Sequence, residues 1–157
     1  MSIIFLALGS NVGNSKQNIE DAISLLKEKV RKVQVAKFYT TKAVGYTKQD
    51  NFVNTALKGE TSLEPIELFH FVKEIEKKMG RVKRFRWGPR EIDIDIIFYK
   101  ELIYRSKKLE IPHPRMHERD FVLKPFLDIE KDFVHPVLKK KLKDLYLQLS
   151  DNQKSII

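Results

Sequence analysis

One stretch organises the interpretation of the whole chain: Arg86-Trp87-Gly88-Pro89-Arg90-Glu91-Ile92-Asp93-Ile94-Asp95. Its second half alternates apolar and acidic residues, which predicts a β-strand over residues 92–99. Successive side chains of a strand point to opposite faces, so Asp93 and Asp95 share one face, roughly 6 to 7 Å apart along the backbone. The other face is expected to pack in the core and to carry Ile92, Ile94, Ile96 and Phe98.

Two carboxylates on one strand face suit a divalent cation. Adjacent carboxylates repel each other and raise one another's pKa unless a cation lies between them. Hard oxygen ligands of this kind favour Mg²⁺, which also binds phosphate oxygens. An amphipathic edge strand with solvated aspartates is the alternative, but the preceding loop is strongly cationic, with Arg81, Lys83, Arg84, Arg86 and Arg90. The combination predicts a site for metal and polyphosphate, with Asp93 and Asp95 as metal ligands.

The composition limits the class of protein. At 157 residues the chain can bury a core, and we expect a single domain over residues 1–157. Cysteine is absent, which excludes disulfides, a cysteine nucleophile and thiolate metal sites. The sequence shows no secretion signal and no run of about 18 apolar residues, so we expect a cytoplasmic protein. A net charge of +9 indicates an anionic partner, for which nucleic acid, acidic lipid and nucleotide all qualify.

Hydrophobic periodicity predicts the order strand, helix, strand, strand, helix, strand. The strands are placed at residues 2–8, near Val33 and Val35, at 52–57 and at 92–99, and the helices after Asn14 and at 63–79. A polar loop is expected at residues 40–50. This order is typical of a ferredoxin-like βαββαβ sandwich, an α+β fold whose helices cover one sheet face and leave the other available. Additional C-terminal elements are a short strand at 102–104 and helices near 118–127 and 138–149, whereas residues 151–157 show no pattern.

Three further groups of residues are candidates for a site. His113 lies between two prolines, a rigid setting that favours a preorganised donor to phosphate, although a surface or capping role is equally consistent. Phe52 and Asn54 share a strand face, where a ring and an amide can bind a flat heterocycle; a core phenylalanine with an asparagine near a turn is the alternative. Residues 9–13 lack the Walker A ending and the dinucleotide-binding spacing, which predicts a plain turn.

Taken in chain order, these clusters resemble one family, the 6-hydroxymethyl-7,8-dihydropterin pyrophosphokinases of folate biosynthesis. The resemblance covers residues 3–129, and its most specific part is the segment 86–96. The supporting segments are Leu8-Gly9-Ser10-Asn11, Tyr39-Thr40-Thr41 with Gly45, Phe52-Val53-Asn54, Glu76 with Gly80-Arg81, and Pro112-His113-Pro114-Arg115-Met116 with Arg119 and Phe121.

The resemblance implies an ATP- and Mg²⁺-dependent enzyme. It would transfer a diphosphate group from ATP to the hydroxymethyl group of 6-hydroxymethyl-7,8-dihydropterin, with AMP as the other product. Two Mg²⁺ ions would be held by Asp93 and Asp95. The catalytic residues implied are Arg81, Arg90, Asp93 and Asp95. The residues implied to bind ATP are Glu76, Arg81, Trp87, Arg90, Ile96, His113 and Arg119.

The resemblance also implies a pterin site. Its residues would be Thr41, Lys42, Ala43, Val44, Phe52, Asn54, Trp87, Asp93 and Phe121. The pterin would stack between Phe52 and Phe121, with the Asn54 amide at the ring edge. The expected partners are the two small-molecule substrates, without nucleic acid or membrane, and the expected state is a monomer, with a dimer as the alternative.

Two other functions fit parts of the pattern. An RNA-recognition domain would explain the order of elements and the basic charge, but the strand at residues 52–57 lacks the stacking row of such domains. Asp93 and Asp95 would also repel RNA phosphates unless a metal were bound. A metal-dependent nucleotidyltransferase would use similar carboxylates but leaves Phe52 and Asn54 unexplained.

Overall fold

The computed structural model describes residues 1–42, 50–80 and 91–157. Its main strands and helices are, in chain order, β1 (Ser2–Ser10), α1 (Ser15–Leu26), β2 (Arg31–Val35), β3 (Tyr39–Thr41), β4 (Phe52–Thr61), α2 (Pro65–Lys78) and β5 (Asp93–Tyr99). The C-terminal part adds β6 (Tyr104–Arg105), β7 (Glu110–Ile111), α3 (Asp120–Glu130) and α4 (Leu142–Leu147), with 3₁₀ turns at Met116–Glu118 and Asp151–Gln153.

The main sheet is antiparallel and has the order β2-β4-β1-β5, and β3 also pairs with β4. The α+β class is confirmed. Each strand and helix predicted for residues 1–99 is present, but the structure adds a strand, β3, that the sequence did not predict. Thr40 and Thr41, which were predicted to belong to a polar loop at residues 40–50, pair with Val53 and Phe52 as part of β3. Most of that predicted loop, residues 43–49, lies outside the described residues.

Local sequence explains both N-terminal helices. The Asn14 side chain accepts a hydrogen bond from the Gln17 N–H at 3.1 Å, which caps α1. Pro65 occupies the first turn of α2, where the missing N–H costs nothing. Each helix buries one stripe against the sheet: Ile19, Ala22, Ile23 and Leu26 in α1, and Leu68, Val72, Ile75 and Glu76 in α2.

The sheet has a hydrophobic core on each face. One core joins β1, β4 and β5 to α1 and α2. The other contains α3, α4 and a cluster of aromatic rings 4.7 to 6.5 Å apart, formed by Phe5, Phe98, Phe126 and Phe133. The prediction that this second face stays available is therefore wrong for its centre. At one end of this face, α3 and α4 do not cover the strands within the described residues, and Asp93, Asp95 and Asn54 are half-buried there.

A β-bulge corrects one prediction about β5. Phe5 pairs with Phe98 and Leu6 pairs with Ile96, so Ile97 is an extra residue in the ladder. The bulge turns Phe98 onto the second face, away from Ile94 and Ile96, with which it was predicted to pack.

The C-terminal predictions are correct in kind and inexact in their limits. The helix predicted at residues 118–127 begins at Asp120 and ends at Glu130, and the one predicted at 138–149 shortens to α4. The short strand predicted at 102–104 is β6, shifted by two residues. Residues 155–157, which lack a sequence pattern, pair with β3. In the part of the chain that the structure describes, no helix has the length and apolarity needed to cross a bilayer.

Candidate functional site

The acidic pair lies at the end of the second sheet face that α3 and α4 leave uncovered among the described residues. Asp93 pairs with Gly9 and Asp95 with Ala7, so strand alternation directs both carboxylates to the face that also carries Asn54. Burial, and then the charge of Asp93, raise the pKa of Asp95 to about 7. The pair is therefore an unfavourable place for two negative charges unless a cation is close.

Glu76 on α2 supports the strand between the two aspartates. Its side chain is buried, its Oε2 accepts a hydrogen bond from the Ile94 N–H at 2.8 Å, and its Oε1 lies 3.1 Å from the Lys73 Nζ. Within the described residues β5 pairs with β1 alone, so Glu76 supplies an acceptor on the outer edge of β5. The predicted contact of Glu76 with ATP stays a prediction.

His113 lies near the acidic pair, as the sequence cluster predicted. Its backbone N–H donates to the Ile97 carbonyl at 3.1 Å, which ties it to β5. Burial, and then the positive charge of Arg119, lower the pKa of His113 to about 4, so the ring is neutral at neutral pH. Its Nδ1 accepts from the Arg115 N–H at 3.2 Å, which leaves the proton on Nε2. His113 is therefore a neutral hydrogen-bond donor.

Arg119 provides a positive charge close to the acidic pair. Burial lowers its pKa, and the charges of Asp95 and Asp93 act in the opposite direction. Its guanidinium carbon lies 5.6 Å from the centre of the Phe121 ring, so stacking restrains the side chain. One guanidinium thus connects the acidic pair with an aromatic ring predicted to bind pterin.

A cavity of about 420 Å³ lies between α2, β5 and the segment before His113. Its lining brings together Lys73, Asp95, Ile96 and His113 with the lysines Lys107 and Lys108. Cations on the walls and a carboxylate at one end suit a metal-bound polyphosphate. Ile96 is buried in the core and contributes to the wall of this cavity, and its predicted contact with ATP stays a prediction.

Asn54 lies one strand away from Gly9 and two from Asp93, in the same row of the sheet. Strand spacing places Asn54 and Asp93 roughly 10 Å apart. The Asn54 Nδ2 donates to the Thr41 Oγ at 2.7 Å, and a Cβ added at Gly9 would meet the Asn54 Oδ1 at 2.6 Å. The absent side chain at Gly9 therefore leaves room for the amide.

The aromatic residues predicted to hold pterin are both half-buried. Phe52 pairs with Thr41 across β3 and β4, and Phe121 lies in the first turn of α3 against the second core. Lys42, also predicted here, is exposed at the end of β3. Stacking of a ring between Phe52 and Phe121 stays a prediction.

The end of β1 organises two segments beside the site. The Ser10 Oγ donates to the Glu91 carbonyl at 2.6 Å, and the Asn11 Nδ2 donates to the Asp50 carbonyl at 3.0 Å. Reasoning from turn composition missed these anchors, because it predicted only a turn here. In the sequence, only the family motif Leu8-Gly9-Ser10-Asn11 pointed to Ser10 and Asn11.

Other predicted site residues, Ala43, Val44, Arg81, Trp87 and Arg90, lie outside the described residues. In the described part of the chain no group of three or more histidine, cysteine, aspartate or glutamate residues could hold a metal ion. Two carboxylates are nonetheless sufficient protein ligands for Mg²⁺ when phosphate oxygens and water complete the coordination.

The chain is similar to proteins of one family. The sequence profile of the family described as "7,8-dihydro-6-hydroxymethylpterin-pyrophosphokinase (HPPK)" matches residues 5–131. The chain is 46% identical over 144 residues to the 2-amino-4-hydroxy-6-hydroxymethyldihydropteridine pyrophosphokinase of Aquifex aeolicus, covering 92% of this chain and 90% of that protein. It is 40% identical over 130 residues to the Bacillus subtilis protein of the same name, covering 82% and 78%.

Longer proteins and a solved structure contain a related region. The chain is 47% identical over 137 residues to the folic acid synthesis protein FOL1 of Dictyostelium discoideum, covering 87% of this chain and 21% of that protein. A crystal structure of Plasmodium falciparum HPPK-DHPS superimposes with a TM-score of 0.77 at 16% identity, covering 94% of this chain and 43% of the other, and so supports the fold. The profile match and the close relatives show that this chain belongs to the 7,8-dihydro-6-hydroxymethylpterin-pyrophosphokinase family.

Proposed function

We propose that this protein transfers a diphosphate group from ATP to the hydroxymethyl group of 6-hydroxymethyl-7,8-dihydropterin, giving AMP and the dihydropterin diphosphate. Membership of the pyrophosphokinase family supports this reaction. The structural observation that best supports this reaction is that the Asp93–Asp95 pair lies between two different groups of residues. A cationic cavity with His113 lies on one side, and the Asn54 amide, beside Phe52, lies on the other.

Mg²⁺ fits the donor set of Asp93 and Asp95. Both supply hard oxygens, and the repulsion that raises the pKa of Asp95 would be offset by a divalent cation. We propose two Mg²⁺ ions at this pair, with ATP as the co-substrate. When bound, the metal neutralises phosphate charge and aligns the reacting oxygens.

The chain's own groups orient ATP and balance its charge. The neutral His113 ring donates from Nε2 to a phosphate oxygen, and Arg119 adds a positive charge beside the acidic pair. The substrate hydroxyl oxygen attacks the β-phosphorus, its proton passes to solvent, and the bond from that phosphorus to the oxygen of the α-phosphate breaks, releasing AMP. Catalysis is thus positioning together with electrostatic stabilisation. Arg81, Arg90 and Trp87 keep their predicted roles at the phosphates.

The Asn54 amide, whose orientation is fixed by Thr41, recognises the pterin by hydrogen bonding. The Asn54 Nδ2 donates one of its two hydrogens to the Thr41 Oγ1, which orients the amide, so its Oδ1 and its second N–H are the groups offered to the pterin ring edge. Phe52 and Phe121 provide apolar ring faces for stacking. Lys42, Ala43 and Val44 complete the site as predicted from the family.

We further propose a single domain over residues 1–157 with the ferredoxin-like arrangement. The strand order β2-β4-β1-β5 and the packing of α1 and α2 on one face support that assignment. We expect a cytoplasmic monomer that acts on small molecules, without nucleic acid or membrane.

The product of the reaction tests the function directly. The protein is incubated with Mg²⁺, ATP and 6-hydroxymethyl-7,8-dihydropterin, and the nucleotides are separated by ion-exchange chromatography. We expect one AMP for each pterin diphosphate formed. Formation of ADP, or of AMP without consumption of pterin, contradicts the proposal.

A further inference from the structure

We propose that Asp120 and residues 155–157 form a clasp that fixes the position of Phe121 relative to Thr41 and Asn54. Asp120 and Ser155 would then be positioning residues for pterin binding, an inference that rests on the function proposed above. We call these contacts the Asp120 clasp.

Asp120 is a buried carboxylate with an unusual set of donors. It is the first residue of α3, it is 2% exposed, and it lies between Arg119 and Phe121. Its Oδ1 accepts from the Ser155 hydroxyl at 2.6 Å, and its Oδ2 accepts from the backbone N–H groups of Ser155 at 2.6 Å and of Ile156 at 3.1 Å. Burial of a carboxylate is costly without such donors, so these three hydrogen bonds fix the segment on the start of α3.

The same segment is bonded to β3 through its backbone. The Lys42 N–H donates to the Ser155 carbonyl at 2.9 Å, and the Ile157 N–H donates to the Thr40 carbonyl at 2.9 Å. Thr41 and Ile156 form an antiparallel bridge. Residues 155–157 therefore act as an extra strand along β3.

The clasp connects the two walls of the pterin site. One wall contains Thr41 and the Asn54 amide that it orients. The other is the first turn of α3, with Phe121. At the far end of α3 the contact with β3 is direct, because the Tyr39 hydroxyl donates to the Asp128 Oδ2 at 2.7 Å. At the N-terminal end of α3, residues 155–157 lie between α3 and β3. They therefore determine the distance between the first turn of α3 and Thr41.

Loss of the clasp would let the start of α3 move relative to β3. Misplacement of a substrate-binding group by about 1 Å is enough to weaken a well-fitted site strongly. Of the groups proposed to bind ATP, only Arg119 adjoins the clasp, and its backbone N–H is bonded to the preceding turn at Met116. His113 and the acidic pair are held by separate contacts to β5 and α2, so ATP binding should change less than pterin binding. The expected signature is a selective rise in the KM for pterin.

Two substitutions test this selectively. Asp120→Asn keeps the shape but removes the negative charge and leaves a single acceptor oxygen for three donors, and Ser155→Ala removes only the hydroxyl donor. Ser155→Thr keeps that donor and should restore parental behaviour. Asp132→Asn is the matched control, because Asp132 lies just beyond α3 and forms exposed ion pairs with Lys141 and Lys143.

We expect Asp120→Asn to raise the KM for pterin roughly tenfold, and Ser155→Ala roughly threefold, with a change in the KM for ATP at least threefold smaller than that for pterin. The double variant should resemble Asp120→Asn alone, because the two groups act through one contact. An unchanged KM for pterin in both variants, or equal losses for both substrates, overturns the proposal. Because Ser155 is only half-buried, its variants test the clasp even if Asp120→Asn fails to fold.

A second readout separates failure of the clasp from failure of the proposed function. If the parent protein makes no AMP, the proposed function is wrong, and the clasp is then tested by hydrogen exchange. Exchange at the Lys42 and Ile157 amides should accelerate in Asp120→Asn and stay parental in Asp132→Asn. Unchanged exchange overturns the clasp whatever the activity.

Discussion

Asp95 occupies a position that favours function over stability. Its carboxylate is half-buried beside Asp93, and that environment raises its pKa to about 7. Such a group destabilises the metal-free protein when ionised and is useful only when a cation binds. The same two residues that weaken the fold locally therefore provide the proposed metal site.

Asp95→Asn separates these two effects. The substitution removes a ligand charge while keeping the size of the side chain, so we expect turnover to fall by about a thousandfold or more. The melting temperature without Mg²⁺ should stay equal or rise, and the stabilisation by Mg²⁺ with ATP should be lost. Steady-state assays and thermal unfolding measure both. Asp21→Asn, on the exposed face of α1, is the control, and parental turnover in Asp95→Asn would remove the acidic pair from the reaction.

Single-residue patterns explain part of the site. Strand alternation correctly placed Asp93 with Asp95 and Phe52 with Asn54. It did not reveal that the Asn54 amide lies over Gly9, because that contact depends on the register between β1 and β4. The predicted roles of Asp93 and Asp95 as metal ligands stay predictions until a metal-bound structure is measured.

At the scale of elements, the contact of α2 with β5 determines where the aspartates lie. Glu76→Ala would leave the buried Ile94 N–H without its acceptor, so we expect a loss of about 2 to 3 kcal/mol in the free energy of unfolding. Because Ile94 lies between Asp93 and Asp95, kcat should fall as well.

Glu74→Ala is the control for Glu76→Ala, because Glu74 is an exposed glutamate on the same helix. Its unfolding free energy should change by less than about 0.5 kcal/mol. Denaturant titration measures both variants. Equal stability of the two variants would contradict a supporting role for Glu76.

Local signals predicted the elements better than their ends. The Asn14 cap and the apolar spacing that follows it located α1. The final helix is shorter than its periodicity suggested, because the His135 Nδ1 accepts from the Val137 and Leu138 N–H groups and Lys139 has a positive φ of 59°. Contacts such as Asp120 with Ser155, 35 residues apart, leave no periodic trace in the sequence.

At the scale of the whole molecule, His135 should make the fold sensitive to acid. Burial, and then the charge of His117, lower the pKa of His135 to about 4 from an ordinary 6.5. Between these values the unfolded chain binds a proton that the folded protein does not, so stability should fall as the pH decreases from 6.5 to 4.

His135→Asn keeps an acceptor for the backbone and removes the titrating ring. The pH-dependent loss of unfolding free energy between pH 6.5 and 4 should be about 2 kcal/mol smaller than in the parent protein. His70→Asn, at an exposed position on α2, serves as the control. Parallel pH profiles for the parent and His135→Asn would contradict this assignment.

The most direct measurement is a crystal structure with Mg²⁺ and a nonhydrolysable ATP analogue whose α,β-bridge is a methylene group. We predict Mg²⁺ about 2.0 to 2.1 Å from an oxygen of Asp93 and of Asp95, with analogue phosphate oxygens in the same coordination shell. Aspartates turned into solvent, with the bound nucleotide remote from them, would contradict the account.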